Sequence, residues 1–254
     1  MRPGARGPRL RDGAAGRDAE HQPGSTGRTN GAVREVAAPA RRAARRETIR
    51  IGAAQNLTII GQGRSGKTTI GKVLLPNIDS YVIGDTKQSH EDFYDQRWGV
   101  ISKDPVAILY EPRVVWQIDL HSVKGIEDFQ KGLDYIYSVR GDPAGSPSVT
   151  FVLDEAKHSA PTEPEPLLAR IVFSGMGRGI GTWAFTQTRY RVYPNLFSDA
   201  IHIIAFRVQS GRDRSVIESD IGVPCGQLMT LEDHAFLHWE QGRTAWSGPH
   251  KLTM

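Results

Sequence analysis

Eight consecutive residues within LTIIGQGRSGKTT (57–69) have the types and spacing needed to hold a polyphosphate: Gly61, Gln62, Gly63, Arg64, Ser65, Gly66, Lys67 and Thr68. They satisfy G-x-x-x-x-G-K-[ST], the phosphate loop or Walker A pattern. Glycines let the backbone curl so that several N–H groups point at one anion, and the helix that follows presents its positive end to the same anion. Lys67 supplies a point charge for the β and γ phosphates and Thr68 a hydroxyl ligand for Mg²⁺, with Thr69 next in the nucleotide-binding run. A plain glycine-rich turn would account for neither Lys67 nor Thr68.

Two further groups could complete a hydrolytic site. The run VTFVLDE (149–155) reads as a buried strand ending in adjacent carboxylates, a Walker B pattern that begins its acidic pair 86 residues beyond Thr68. Side by side, two carboxylates at a strand end are unfavourable unless a cation or substrate needs them. Asp154 suits Mg²⁺, directly or through water, and Glu155 suits polarisation of an attacking water. Gln187 closes the strand Thr182–Gln187, level with Asp154 if those strands are parallel neighbours. Its amide could donate to a γ-phosphate oxygen and accept from the lytic water, which would make it a sensor of ATP against ADP.

These residues have to be positioned by alternating strands and helices. Leu57–Ile60 leads into the phosphate loop, Lys67–Leu75 reads as the helix after it, and Pro76 closes that helix. Ser80–Lys87 is a second strand whose exit carries Asp85, Thr86 and Lys87, at the sheet end where open α/β folds bind ligands. Residues 88–113 show no clear pattern. Val114–Ile118 is a strand, and Ile126, Phe129, Leu133 and Ile136 fall at helical spacing before a turn-rich loop at 141–147. Leu167–Met176 is a helix that gives way to Gly177-Arg178-Gly179. Ala200–Val208 is a strand apolar enough to be covered on both faces, and Arg212–Ile221 is a helix stopped by Gly222. His234–Glu240, Gln241-Gly242 and Arg243–Trp246 read as a closing β-hairpin. His234 and His238 would share one face of it, with no third metal ligand nearby.

The chain divides by charge. Its first 50 residues hold twelve arginines and five acids, a formal +7, whereas the remaining 204 hold twenty bases and twenty-three acids, a formal −3. Residues 1–48 are rich in Gly, Ala, Pro and Arg without apolar periodicity, the composition of a disordered arm, and 49–254 form the folded domain. The cluster Arg41–Arg46 suits contact with nucleic-acid phosphates; a solvated tail or an upstream extension from a GC-rich frame has the same composition. One cysteine, Cys225, excludes an internal disulfide and fits a reducing compartment, the cytoplasm. No apolar run approaches the ~20 residues that span a bilayer.

In order, the phosphate loop, Asp85-Thr86-Lys87, Asp154-Glu155, Gly177-Arg178-Gly179, Gln187 and the strand bearing Arg207 resemble the FtsK–HerA superfamily of P-loop ATPases over about residues 51–245. The resemblance implies an α/β, RecA-like (ASCE) core: a mostly parallel sheet flanked by helices, with an extra strand between the phosphate-loop strand and the Asp-Glu strand. It also implies ATP and Mg²⁺ as ligands, double-stranded DNA as partner, and a homo-oligomeric ring, usually a hexamer. A portal, capsid or membrane component would be a further partner, in the host cytoplasm if the source is a bacteriophage or other virus. By the same resemblance Glu155 activates water, Gln187 senses the γ phosphate, and Arg178 is the arginine contributed to a neighbour's site, with Arg207 and Arg212 as alternatives. The chain lacks the membrane-spanning region of the chromosome translocases and the barrel of HerA-type proteins, and so looks like a minimal packaging or mobile-element motor. A nucleotide-dependent phage assembly factor similar to the Zot-like proteins is the alternative function. A small-molecule kinase is a third reading, against which the tandem Asp154-Glu155 argues.

Overall fold

A computed structural model describes residues 49–86, 96–140 and 148–252. The arginine-rich arm, Lys87 and the loop at 141–147 lie outside the described residues. Nine strands form one sheet: β1 (Leu57–Ile60), β2 (Tyr81–Asp85), β3 (Val100–Ser102), β4 (Arg113–Gln117), β5 (Val149–Asp154), β6 (Ile180–Thr186), β7 (His202–Ala205), β8 (Ala235–Glu240) and β9 (Ser247–Lys251). Their order is β3-β4-β2-β5-β6-β1-β7-β8-β9. Every pairing from β3 to β7 is parallel, and β8 and β9 add an antiparallel hairpin. β6 is thus the extra strand that the resemblance implied between the phosphate-loop strand and the Asp-Glu strand.

The helices are α1 (Lys67–Leu74), α2 (Ala107–Tyr110), α3 (Val123–Tyr135), α4 (Ala156–Ser159), α5 (Pro166–Ser174), α6 (Asn195–Ser198) and α7 (Gly211–Ile221). The strands read as continuous apolar runs because both sheet faces are covered. In β5, Phe151 and Leu153 join the core beneath α3, α5 and α7, while Val152 joins the opposite core with Ile70 of α1. Of the residues at helical spacing around α3, Phe129, Leu133 and Ile136 are buried and Ile126 is exposed. Gly132 lets the helix approach the sheet, since a Cβ at that position would lie 2.1 Å from the Trp116 ring. Among the described residues no helix is long and apolar enough to cross a membrane.

The hairpin differs from expectation. Its return strand is not Arg243–Trp246 but begins at Ser247. Residues 243–246 cross over as a loop, where Arg243 O accepts from Trp239 Nε1 and Trp246 Nε1 donates to Pro224 O. His234 lies outside β8 with a left-handed φ of 61°, so it shares no strand face with His238. His238 pairs instead with His202 of β7, ring nitrogen to ring nitrogen at 3.1 Å.

Candidate functional site

All three sequence groups arrive at one rim because β1, β5 and β6 are parallel and end together. β6 pairs with β1 through Ile60↔Thr186 and with β5 through Leu153↔Ala184, so Gln187, Glu155 and Gly61 leave the sheet at the same end. The Gly61 N–H donates to Thr186 O at 3.2 Å, fixing the start of the phosphate loop. A Cβ on Gly61 would lie 2.6 Å from that of Phe206, the residue after β7 that underlies the loop. Gly66 turns the loop into α1 with φ 107°, a conformation L side chains rarely adopt.

The side chains converge on a cleft of about 330 Å³ lined by Gly63 to Thr69, Asp154, Glu155, Phe185, Gln187 and His234. Lys67 Nζ donates to Gly61 O and Gln62 O, each at 2.8 Å, which holds the ammonium inside the loop's mouth. Ser65 Oγ is buried and finds no hydrogen-bond partner among the described residues, as suits a loop shaped around an anion. Asp154 and Glu155 are both buried. Glu155 adopts φ 59° and ψ 65°, a sharp reversal between β5 and α4. In a non-glycine residue that conformation is strained, and such strain gathers at functional sites. Its Oε2 accepts from Gln187 Nε2 at 2.8 Å, and its Oε1 lies 3.7 Å from Lys157 Nζ. Asp85 stands beside Asp154 in register on β2, and Thr86 Oγ1 donates to Asp154 O at 3.3 Å. Its companion Lys87 lies outside the described residues.

The loop after Gln187 is pinned by a residue that sequence reasoning passed over. Asp213, buried in the first turn of α7, accepts at one oxygen from Thr188 Oγ1 (3.0 Å), Arg189 N (2.6 Å) and Tyr190 N (3.1 Å). Ser210 caps α7 by accepting from Asp213 N, so the Ser-x-x-Asp capping spacing was the available signal.

Three arginines named from the sequence stand apart from this cleft. Arg178 ends the turn before β6, at the opposite end of the sheet, with its guanidinium 4.5 Å from the Tyr137 ring centre. Arg207 donates to Leu231 O and pairs with Asp233 at 3.2 Å. Arg212 is exposed and packs 4.5 Å over Tyr190. Among the described residues no three His, Cys, Asp or Glu side chains group to hold a metal ion. Asp154 and Thr68, which line one cleft, are a donor set of the kind that holds a nucleotide's Mg²⁺ together with phosphate oxygens and water.

The fold is that of a RecA-like P-loop NTPase. Its solved counterparts include the genome-packaging NTPase B204 of Sulfolobus turreted icosahedral virus 2 in complex with ATP-gammaS, with TM-score 0.65 and 18% identity over 80% of this chain and 100% of that one. B204 of Sulfolobus turreted icosahedral virus, described as the DNA-packaging ATPase, gives 0.61 and 19% over 80% and 100%. The pCW3 conjugation coupling protein TcpA, with ATPgS, gives 0.51 and 14% over 77% of this chain and 60% of that one. Two of these neighbours are thus viral packaging NTPases and the third is a conjugation coupling protein. No protein-family model matches the chain, and no curated protein matches it.

Proposed function

We propose that the chain is an ATP-hydrolysing motor that moves double-stranded DNA, of the genome-packaging or transfer type. The observation that carries this reading is the 2.8 Å hydrogen bond from Gln187 to Glu155 at the mouth of the phosphate-loop cleft. It links the proposed water-activating carboxylate to the proposed sensor, so a change at one is felt by the other. Backbone N–H groups of Gly63 to Lys67 cradle the β and γ phosphates, and the Lys67 ammonium neutralises them. Thr68 and Asp154 would hold Mg²⁺, which when bound would offset phosphate charge. Glu155 accepts a hydrogen bond from the attacking water and draws its proton, while Gln187 orients the two.

Arg178 lies too far down the sheet to serve its own cleft, since six or seven residues of β6 at about 3.3 Å each separate the two ends. It would act on a neighbour's nucleotide in a ring, a role worth on the order of 10³–10⁵ in rate where such fingers operate. The arginine-rich arm would add phosphate contacts on DNA. Fold similarity to the packaging NTPases and the coupling protein supports this choice among P-loop functions.

The test is ATPase rate against duplex DNA concentration at two salt levels, for the whole chain and for a version starting at Ile49. Stimulation by DNA that weakens at higher salt is expected. Its loss on truncation assigns DNA contact to the arm, and its persistence assigns contact to the folded domain. Absence of stimulation in the whole chain contradicts DNA translocation.

A further inference from the structure

His234 belongs to no element, yet three observations set it apart. Its backbone is left-handed at φ 61°, a strained choice for histidine. Its Nδ1 is buried without a hydrogen-bond partner among the described residues. The residue lines the phosphate-loop cleft and also a second cavity of about 240 Å³ against Phe206 and Arg207. The residue is also held in place. Arg207 pairs with Asp233, Lys251 with Glu232 at 3.3 Å, and Leu252 N donates to His234 O at 3.3 Å.

Its place in the sheet indicates what it meets. The phosphate loop leaves β1, and Gln187 and Glu155 stand one and two strands to one side, after β6 and β5. His234 precedes β8, two strands or roughly 10 Å to the other side. A triphosphate on the loop with its terminal phosphate toward Glu155 therefore directs its sugar and base toward His234. Resting on the ATPase reading above, we infer that the His234 imidazole is a hydrogen-bond partner for the nucleoside end of the bound nucleotide. The left-handed backbone sets this residue at the wall of the cleft, on the side away from Glu155.

The test separates nucleoside from phosphate. Calorimetric binding of ATPγS and of inorganic tripolyphosphate, each with Mg²⁺, is measured for wild type and His234→Gly. Glycine tolerates the left-handed backbone, so a thermal midpoint at or above wild type shows that the variant is folded. Expected is about a tenfold loss for ATPγS, the equivalent of one hydrogen bond, with tripolyphosphate binding unchanged. Comparison of 2′-deoxy-ATP and GTP with ATP on wild type then tells sugar from base. Equal loss for both ligands, or for neither, overturns the inference. Failure of wild type to bind either ligand instead removes the nucleotide site itself.

Discussion

At the scale of single residues, the site depends on carboxylate, amide and ammonium groups whose separate removal has separable effects. Glu155→Gln keeps the size and polarity of the side chain but cannot draw a proton from water. ATP should still bind, and turnover should fall by roughly 10²–10⁴, the range of a lost general base, read by phosphate release beside equilibrium binding. Lys67→Ala should weaken ATP binding by roughly 10- to 100-fold, because charge-assisted hydrogen bonds contribute about 1.5–3 kcal/mol each. The types and order of these residues were legible because the phosphate loop is contiguous and the Asp-Glu pair ends an apolar run. The left-handed backbones of Glu155 and His234 were not, since neither residue type signals positive φ. That backbone is why His234 falls outside the strand that its sequence suggests.

Elements set how firmly these groups are held. The Gln187 loop is indexed to α7 through Asp213, so Asp213→Ala should leave three donors short of their acceptor. A loss of about 3 kcal/mol is expected, read as a fall in denaturant midpoint. The kcat should fall while the KM for ATP holds, and Asp213→Asn should recover most of both. The His202–His238 pair between β7 and β8 gives the domain a pH dependence. Burial holds both rings below the ordinary histidine range, with His238 near 4. Both are neutral when folded, so the unfolded chain takes up protons first as pH falls from about 6.5 toward 4, and stability drops through that window. The His238 contribution is roughly 3 kcal/mol. Urea midpoints between pH 7 and 4 should fall for wild type and flatten for His238→Gln. Long strands and amphipathic helices were legible at this scale. β3 was missed because Val100–Ser102 is too short to show a period. The hairpin's return strand was misplaced because Ser-Gly-Pro-His-Lys on an edge has little strand propensity, whereas the loop before it ends in tryptophan.

Across the whole molecule, the two sheet faces are covered unequally. α3, α5 and α7 pack one face, and α1 with the segment from Ile49 to Ala53 packs the other. That division leaves the phosphate-loop cleft at the rim beside α1, with Arg178 at the far end of the sheet. Cys225 lies in the larger core, where burial pushes its thiol up to about 12. Thiol reagents at pH 8 should leave it untouched until the domain unfolds, so its labelling rate reports global opening. The charge separation between the first 50 residues and the rest was readable from composition alone. The most direct measurement is phosphate release from Mg-ATP by wild type and Glu155→Gln, with and without duplex DNA, alongside ATP binding. The account predicts hydrolysis by wild type that rises with DNA, and ATP binding without turnover by the variant. No hydrolysis by wild type under either condition, or equal turnover by the variant, would contradict it.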